Sequence, residues 1–346
     1  MFDPGDELLI CDHCGNTEPI DHGPWSRSDA IREQDFQAAL NVEMSAADTE
    51  VIRNSSCPNC GAQIEFDENV HSTECPYCAT PVVVDTGENR QIKPRAVLPF
   101  YLDESAARVA MVNWLGSLWF APSGLTEYAR KGRKLSGVYT PCWTFDADTK
   151  SRYDGQRGTV YSESRRVRRN GKMETIQVQK VRWRRVSGRV ARYFDDVLVL
   201  ASTALPEKFR GATAHWDLTA LEPYQPEYLA GFRAEAYTVE LQDAFVEARG
   251  IMDRQIRRDI KFDIGGDRQR IDHVETQISD VTFKHILVPV WLAAYRYRGK
   301  SFRFVVNGQT GQVAGERPWS PWKIAIAVII AAILAGIMGY LYASGA

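Results

Sequence analysis

Residues 324–342 form a run of nineteen residues without a single charged side chain. At about 1.5 Å per residue, a helix of that length covers roughly the 30 Å of a bilayer's hydrocarbon core. Trp319 and Trp322 flank one end, Tyr340 and Tyr342 the other, which is where amphipathic rings sit at headgroup level. A buried core helix keeps a polar stripe, and this run has none. Arg303, Arg317 and Lys323 lie before it, and only Ala343, Ser344, Gly345 and Ala346 follow. Positive residues stay on the cytoplasmic side, so the chain is expected to be a single-pass, tail-anchored protein with its bulk in the cytoplasm. The first forty residues are acidic and hold no apolar core segment, so no signal peptide is expected there. Ala331, Ala335 and Gly339 recur at four-residue spacing, which lets two such helices approach as a homo-oligomer, although an Ala-rich lipid-facing helix has the same pattern.

The formal net charge of −2 conceals a strong asymmetry. Residues 1–89 hold eighteen acids against three arginines, a balance of −15, whereas residues 150–192 hold fourteen Lys and Arg against three acids, a balance of +11. Such a split concerns partners rather than fold.

Six of the seven cysteines fall in three C-x-x-C pairs. In a reducing compartment metal ligation is favoured over disulfides. Cys57-Pro-Asn-Cys60 and Cys75-Pro-Tyr-Cys78 supply four thiolates for a tetrahedral Zn²⁺, a closed structural site, with residues 63–66 and 72–74 expected to pair as the ribbon's short strands. Ala79 stands where Gly61 stands in the first knuckle, a strain if that position needs positive φ. Cys11-Asp-His-Cys14 is the odd pair. Phe2-Asp3 precedes Cys11 as Phe66-Asp67 precedes Cys75, so a repeat with an offset of 64 makes the N-terminus the second half of another ribbon. Two readings remain: a true start upstream of Met1, giving a second zinc site incomplete in this chain, or local completion by His13, His22 or Asp21. Residues 28–40 read as a helix with Ser28 as N-cap, and residues 80–94 as a linker.

Further on, residues 102–120 read as a helix capped by Asp103 and stopped by Pro122. Strands are expected at 137–149, 160–169, 173–190 and 196–201, with Asn170-Gly171 as a hairpin turn. A second helix, 239–261, shows Leu241, Phe245, Ala248, Met252, Ile256 and Ile260 on one face. Strands at 277–283, 286–297 and 302–306 follow, then a turn through Asn307 to Gly311. Cys142 reads as a small buried apolar residue. The fold class is therefore α+β: a partial first zinc ribbon (1–15), a helical spacer (16–56), a zinc ribbon (57–90), an antiparallel-sheet-rich domain with two main helices (91–316) and a C-terminal transmembrane helix (317–346).

The knuckles, Leu98-Pro-Phe100 with Trp114 and Trp119-Phe-Ala-Pro122, the segment from Gly137 to Asp146 and the C-terminal helix together resemble the bacterial membrane-anchored TFIIB-type zinc-ribbon proteins, over essentially the whole chain. Members of that family often carry the label primosomal protein N′ (replication factor Y), superfamily II helicase. The resemblance implies a scaffold at the bacterial inner membrane, associated with SPFH and phage-shock-protein-A-like membrane proteins.

A helicase motor needs a phosphate-cradling loop between a strand and a helix. The nearest match, Ala294 to Ser301, is followed by the strand-like Phe-Arg-Phe-Val-Val, so Arg298-Gly299-Lys300 reads as a hairpin tip. The six histidines are scattered, His273 and His285 among them, and no catalytic grouping emerges. No enzymatic activity is expected. Arg165, Arg166, Arg168, Arg169 and Lys172, with Lys180, Arg182, Trp183, Arg184 and Arg185, make the candidate contact surface. It reads as a solvated edge hairpin, a surface for anionic lipid or an acidic protein, or a nucleic-acid contact with Trp183 as the stacking ring. The acidic head would repel phosphate, which favours protein contact over nucleic acid. The expected role is a membrane-tethered zinc-ribbon adaptor, and the alternative is a nucleic-acid-binding protein held at the membrane. The intact chain is expected to stay with membranes through a high-salt wash and to need detergent for release; fractionation with the cytosol would remove the span.

Overall fold

The computed structural model describes residues 1–6, 8–20, 31–41, 48–65, 72–78, 80–83, 88–122, 135–169, 172–205, 209, 215–297 and 300–344. In chain order the elements begin with β1 (Phe2–Asp3), β2 (Leu8–Ile10), β3 (Thr17–Pro19), β4 (Gln34–Asp35), α1 (Phe36–Asn41) and β5 (Thr49–Ser56). Next come β6 (Gln63–Glu65), β7 (Ser72–Glu74), β8 (Pro81–Val83), β9 (Glu88–Ile92), β10 (Ala96–Val97) and α2 (Glu104–Ser117). The body continues with β11 (Ser136–Arg169), β12 (Lys172–Leu200), β13 (Glu222–Pro223), β14 (Arg233–Ala234) and α3 (Leu241–Ile264). It closes with β15 (Arg268–Tyr297), β16 (Lys300–Asn307), β17 (Val313–Gly315) and α4 (Pro321–Ser344). The fold is α+β and sheet-rich.

Three strands dominate. The separate runs expected at 137–149 and 160–169 are one 34-residue strand, β11. Those at 173–190 and 196–201 merge into the 29-residue β12, and those at 277–283 and 286–297 lie within the 30-residue β15. Hydrophobic alternation fades in the gaps because the inward positions there are small or polar (Thr149, Ser151, Tyr153, Gly155) under a helix that supplies the apolar bulk. The central sheet runs β12-β11-β15-β10-β13, with β4 and β16 on β15, β17 on β16, and β14 on β11; the middle long strand, β11, is antiparallel to both β12 and β15.

α3 covers one face of this blade with Leu241, Ala244, Ala248, Met252, Ile256, Ile260 and Ile264, against Trp143, Phe145, Ala147, Tyr153 and Phe194. The helix is as the heptad-like pattern predicts, three residues longer at its end; of the expected stripe, Phe245 is only partly buried. Tyr153 Oη donates to Asp263 Oδ2 at 2.5 Å, and Arg192 holds Asp259 through two nitrogens at 2.6 and 2.9 Å. Gly265 and Gly266, at φ +65° and +76°, reverse the chain into β15.

Two bulges face each other across β11. Asp146 on β11 is opposed by Asp195 and Asp196 of β12, and Ala147 by Asp280 and Val281 of β15, with Asp196 at φ 51° and Asp280 at φ 52°. Beside them the buried Lys284 meets Asp196 at 2.7 Å and Glu33 at 3.3 Å. That ion pair, together with Phe36 packed at 6.1 Å on Phe145 and 4.4 Å on Phe245, corrects the spacer expectation. Gln34 and Asp35 are held extended against β15, and the described helix is Phe36–Asn41, capped by Asp35 Oδ1 on the Ala38 amide at 2.6 Å. Ser28, the expected cap, lies outside the described residues. Among the described residues of 16–56, those of the strands β3, β4 and β5 outnumber those of the one short helix, in place of the helical spacer expected. The expected linker at 80–94 likewise contributes β8 and β9, the latter paired to β5.

α2 follows the sequence closely, with Asp103 Oδ1 accepting from the Ala106 amide at 2.7 Å. Tyr297 pairs with Lys300, so paired strands flank residues 298–299, which lie outside the described residues, and the segment after them is strand with no helix N-terminus to hold phosphate. α4 is long and apolar enough to cross a membrane.

Burial and then a hydrogen bond with Glu33 push the Asp146 carboxyl up to about 7. Burial acts the same way on Glu33, but its bonds to Asp146 and Thr282 and the Lys284 charge outweigh it and hold Glu33 below its usual range. The folded state therefore keeps a proton on Asp146 that the unfolded chain has lost. Its contribution to stability is complete below about pH 4 and is lost as pH rises through about 7. Asp146→Asn mimics the protonated acid, so urea melts are expected to show the variant gaining on the wild type from pH 4 to pH 7, and a constant gap would contradict the shared proton.

Candidate metal centre

Each C-x-x-C pair closes a tight turn inside its own hairpin. The Cys57 amide donates to Ala62 O at 2.8 Å and the Cys75 amide to Thr80 O at 2.8 Å. Gly61 sits at φ +76°, where a side chain would be strained; Ala79, its counterpart, lies outside the described residues. The strand pairing differs from the sequence expectation: β6 pairs with β5 and β7 with β8, rather than β6 with β7. Each turn is thus flanked by its own two strands, and the two turns meet face to face.

That meeting brings four sulfurs together. Cys57 Sγ lies 3.5 Å from Cys78 Sγ and Cys60 Sγ 3.5 Å from Cys75 Sγ, and all four are within 4.8 Å of one another. A tetrahedral ion at Zn–S distances of about 2.3 Å needs sulfurs roughly 3.8 Å apart. The cluster can hold a metal ion and is compatible with zinc. A bond from Cys75 draws the Cys60 thiol down to about 5, while the same bond and then burial push Cys75 up.

The centre is welded to the sheet. Cys57, Ala62, Ile64, Cys75, Tyr77 and Val82 share a core with Val138, Leu205, Phe209, Val290, Leu292 and Val305. The Tyr77 hydroxyl, inside the second knuckle, reaches Glu235 and lies 3.3 Å from Thr140 Oγ1, and Ser202 Oγ donates to the other Glu235 oxygen at 2.7 Å. Burial, followed by the Glu235 charge, raises the Tyr77 hydroxyl well above its usual range, so it stays a donor. Arg233 Nη1 adds a bond to Glu74 O at 2.7 Å. Glu235 was not legible as a partner, since nothing local marks it; Tyr77, sitting between two ligands, was the available clue.

Cys11 and Cys14 form the same turn, with Cys11 N to Asn16 O at 2.9 Å and Gly15, at φ +71°, donating to Cys11 O at 2.8 Å. β2 and β3 repeat β7 and β8 in register: Leu8 pairs with Pro19 as Ser72 pairs with Val83, each offset by 64. Both sulfurs are exposed, and among the described residues no third ligand joins them. Amides of Cys14 and His13 hold the Cys11 thiol below its usual value. His22 and Asp21 lie outside the described residues.

The basic residues sit on the far part of the β11–β12 hairpin. β15 accompanies β11 only as far as Gly158, opposite Arg268. Beyond it, eleven cross-strand pairs, from Thr159–Arg182 to Arg169–Lys172, stand as a two-stranded ribbon about 37 Å long. Asn170 and Gly171 lie between its ends and outside the described residues. Strand alternation divides the cations: Arg166, Arg168, Trp183 and Arg185 share one face, and Arg165, Lys180, Arg182 and Arg184 the face on the α3 side. Arg169 and Lys172 pair at the end of the ribbon. Trp183 lies against Gly158 with the Arg270 guanidinium 4.9 Å over its ring, so it is not the open stacking ring the sequence allowed. The two expected lone histidines differ: His273 is exposed, whereas His285 is buried beside Trp143, bonded through Nδ1 to Ile92 O at 2.7 Å and pushed down to about 4 by burial. Cys142 is buried, as expected.

No protein family model matches the chain, and no solved structure matches it significantly. An uncharacterized protein of Bacillus subtilis, YdjG, is 25% identical over 237 residues, 68% of this chain. The chain spans 66% of that relative's length, just under two thirds.

Cys75→Ser is expected to abolish metal binding at the cluster and to lower the melting temperature of the whole body, because the ligand lies in a shared core; a cobalt-loaded sample would lose its thiolate-to-metal absorption. Tyr77→Phe should keep the metal yet cost about 1–3 kcal/mol by leaving Glu235 short of a donor, read from urea melts of the zinc-loaded protein.

Proposed function

We propose that the chain is a zinc-ribbon adaptor held at the cytoplasmic face of a bacterial membrane by its C-terminal helix, presenting its basic ribbon to an acidic surface on another membrane-associated protein, with no catalytic step of its own. The resemblance noted above supplies the class of partner, SPFH or phage-shock-protein-A-like proteins. The observation that carries the reading is a like-charge contact on the face that also holds Arg166, Arg168 and Arg185. Arg152 stands directly opposite Arg189, with Glu275 of β15 on its other flank as a single counter-charge for the two. Cross-strand like charges cost stability unless a counter-charge arrives. The same side as Arg152 and Arg189 carries Lys150, and these residues rim an open depression of about 430 Å³ with Glu275 and Gln277. A partner with carboxylates in register with that face would relieve the contact.

Zinc in the four-thiolate cluster would then be structural: a closed coordination sphere leaves no position for a substrate. Its part is to keep the acidic head rigid on the sheet that carries the ribbon. The nucleic-acid reading loses its stacking ring, since Trp183 is already covered by Arg270.

The full chain in nanodiscs, titrated with a purified phage-shock-protein-A-like or SPFH protein, tests this directly. Reversing Arg166, Arg168 and Arg185 to Glu is expected to weaken binding by about tenfold or more, with a salt dependence that flattens in parallel. Unchanged binding, or tight salt-steep binding to duplex DNA lost in the same variant, would replace the adaptor with the nucleic-acid alternative.

A further inference from the structure

We infer that the turn closing α2, at Trp119 and Phe120, is a second lipid contact: it lies in the headgroup layer beside the entry of α4 and fixes how the body sits on the bilayer. The inference rests on the reading of α4 as a membrane span. The connection from β17 into α4 is fastened to this turn at three points. Ser320 N donates to Phe120 O at 2.8 Å, Lys323 Nζ donates to Ala121 O at 2.8 Å, and the Phe120 and Trp319 rings lie 6.2 Å apart. Whatever plane Trp319, Trp322 and Lys323 occupy at the start of the span, the α2 turn occupies it too.

The side chains suit that plane. Trp119 is 79% exposed and Trp322 74%, a large apolar area for water to cover and an ordinary one for an interface. Lys323 is fastened to a carbonyl rather than to a carboxylate, which leaves its charge to meet lipid phosphate while its stem covers apolar surface. Nor is the turn free to swing away. Met111 and Leu115 of α2 are buried in the body's core, and the Trp114 ring packs so closely on Gly315 that an added Cβ would lie 2.8 Å from it. A rigid helix end and a spanning helix, joined at one place, give the body one tilt on the membrane instead of a tether's freedom.

The test is fluorine NMR of the full chain, labelled with fluorotryptophan and reconstituted in zwitterionic nanodiscs doped with a paramagnetic headgroup lipid. The Trp119→Phe and Trp322→Phe variants assign the two resonances. Loss of the Trp119 signal to the same degree as that of Trp322 is the expected result. If Trp322 broadens and Trp119 stays sharp, the second contact is overturned and the span stands. If neither broadens, the membrane reading falls and the inference with it.

Discussion

One apolar stripe on α3 makes the rest of the structure practicable. Strands of about 30 residues are far longer than a sheet needs, and a blade bare on both faces would have no reason to stay extended. Seven buried side chains of α3, spaced at three and four, seal one face of that blade over most of its paired length. Where α3 and β15 give out together, near Gly158 and Arg268, the remaining hairpin continues on register alone. Along it the Lys180–Glu163 pair, the Gln177–Ser164 bond at 2.8 Å and Arg182 at 5.3 Å over Tyr161 keep the two strands matched. Each is an exposed contact of small individual worth, and the covered blade behind the ribbon anchors its base.

The cysteine module belongs to the same construction. A ribbon read in isolation is a bead on a string, but here its buried ligands Cys57 and Cys75 contact the same core as Val138 and Val290 on the long strands. The Tyr77–Glu235–Ser202 network closes the contact with satisfied polar groups instead of leaving a wet seam. The cysteine cluster is therefore part of what the sheet is packed against.

What could be read from the chain followed the strength of local signals. The helix capped by Asp103, the stripe on α3, the hairpin around Asn170-Gly171 and the four thiolates all announce themselves within a few residues. What escaped depended on contacts between distant segments. Glu33 and Phe36 hold residues 33–36 against β15 and curtail a helix that the local pattern extends back to Ser28. The merging of short runs into β11, β12 and β15 is invisible while α3 is out of view, because it supplies the apolar partner that the strand's own small residues lack. The pairing of β5 with β6 and β9, in place of β6 with β7, leaves no local mark, because it joins segments on either side of the cysteine turns. The buried, unmatched look of Asp146 likewise depends on Glu33 and Lys284, remote in sequence and adjacent in space.

The absence of any register shift along the outer ribbon has a quiet geometric consequence. Side chains there alternate strictly, so deleting one residue from either strand would turn every arginine beyond it to the opposite side. Evolution can lengthen or shorten such an arm only in matched, even steps if the two-sided distribution of charge is to survive. The ribbon's length is, in effect, counted in pairs.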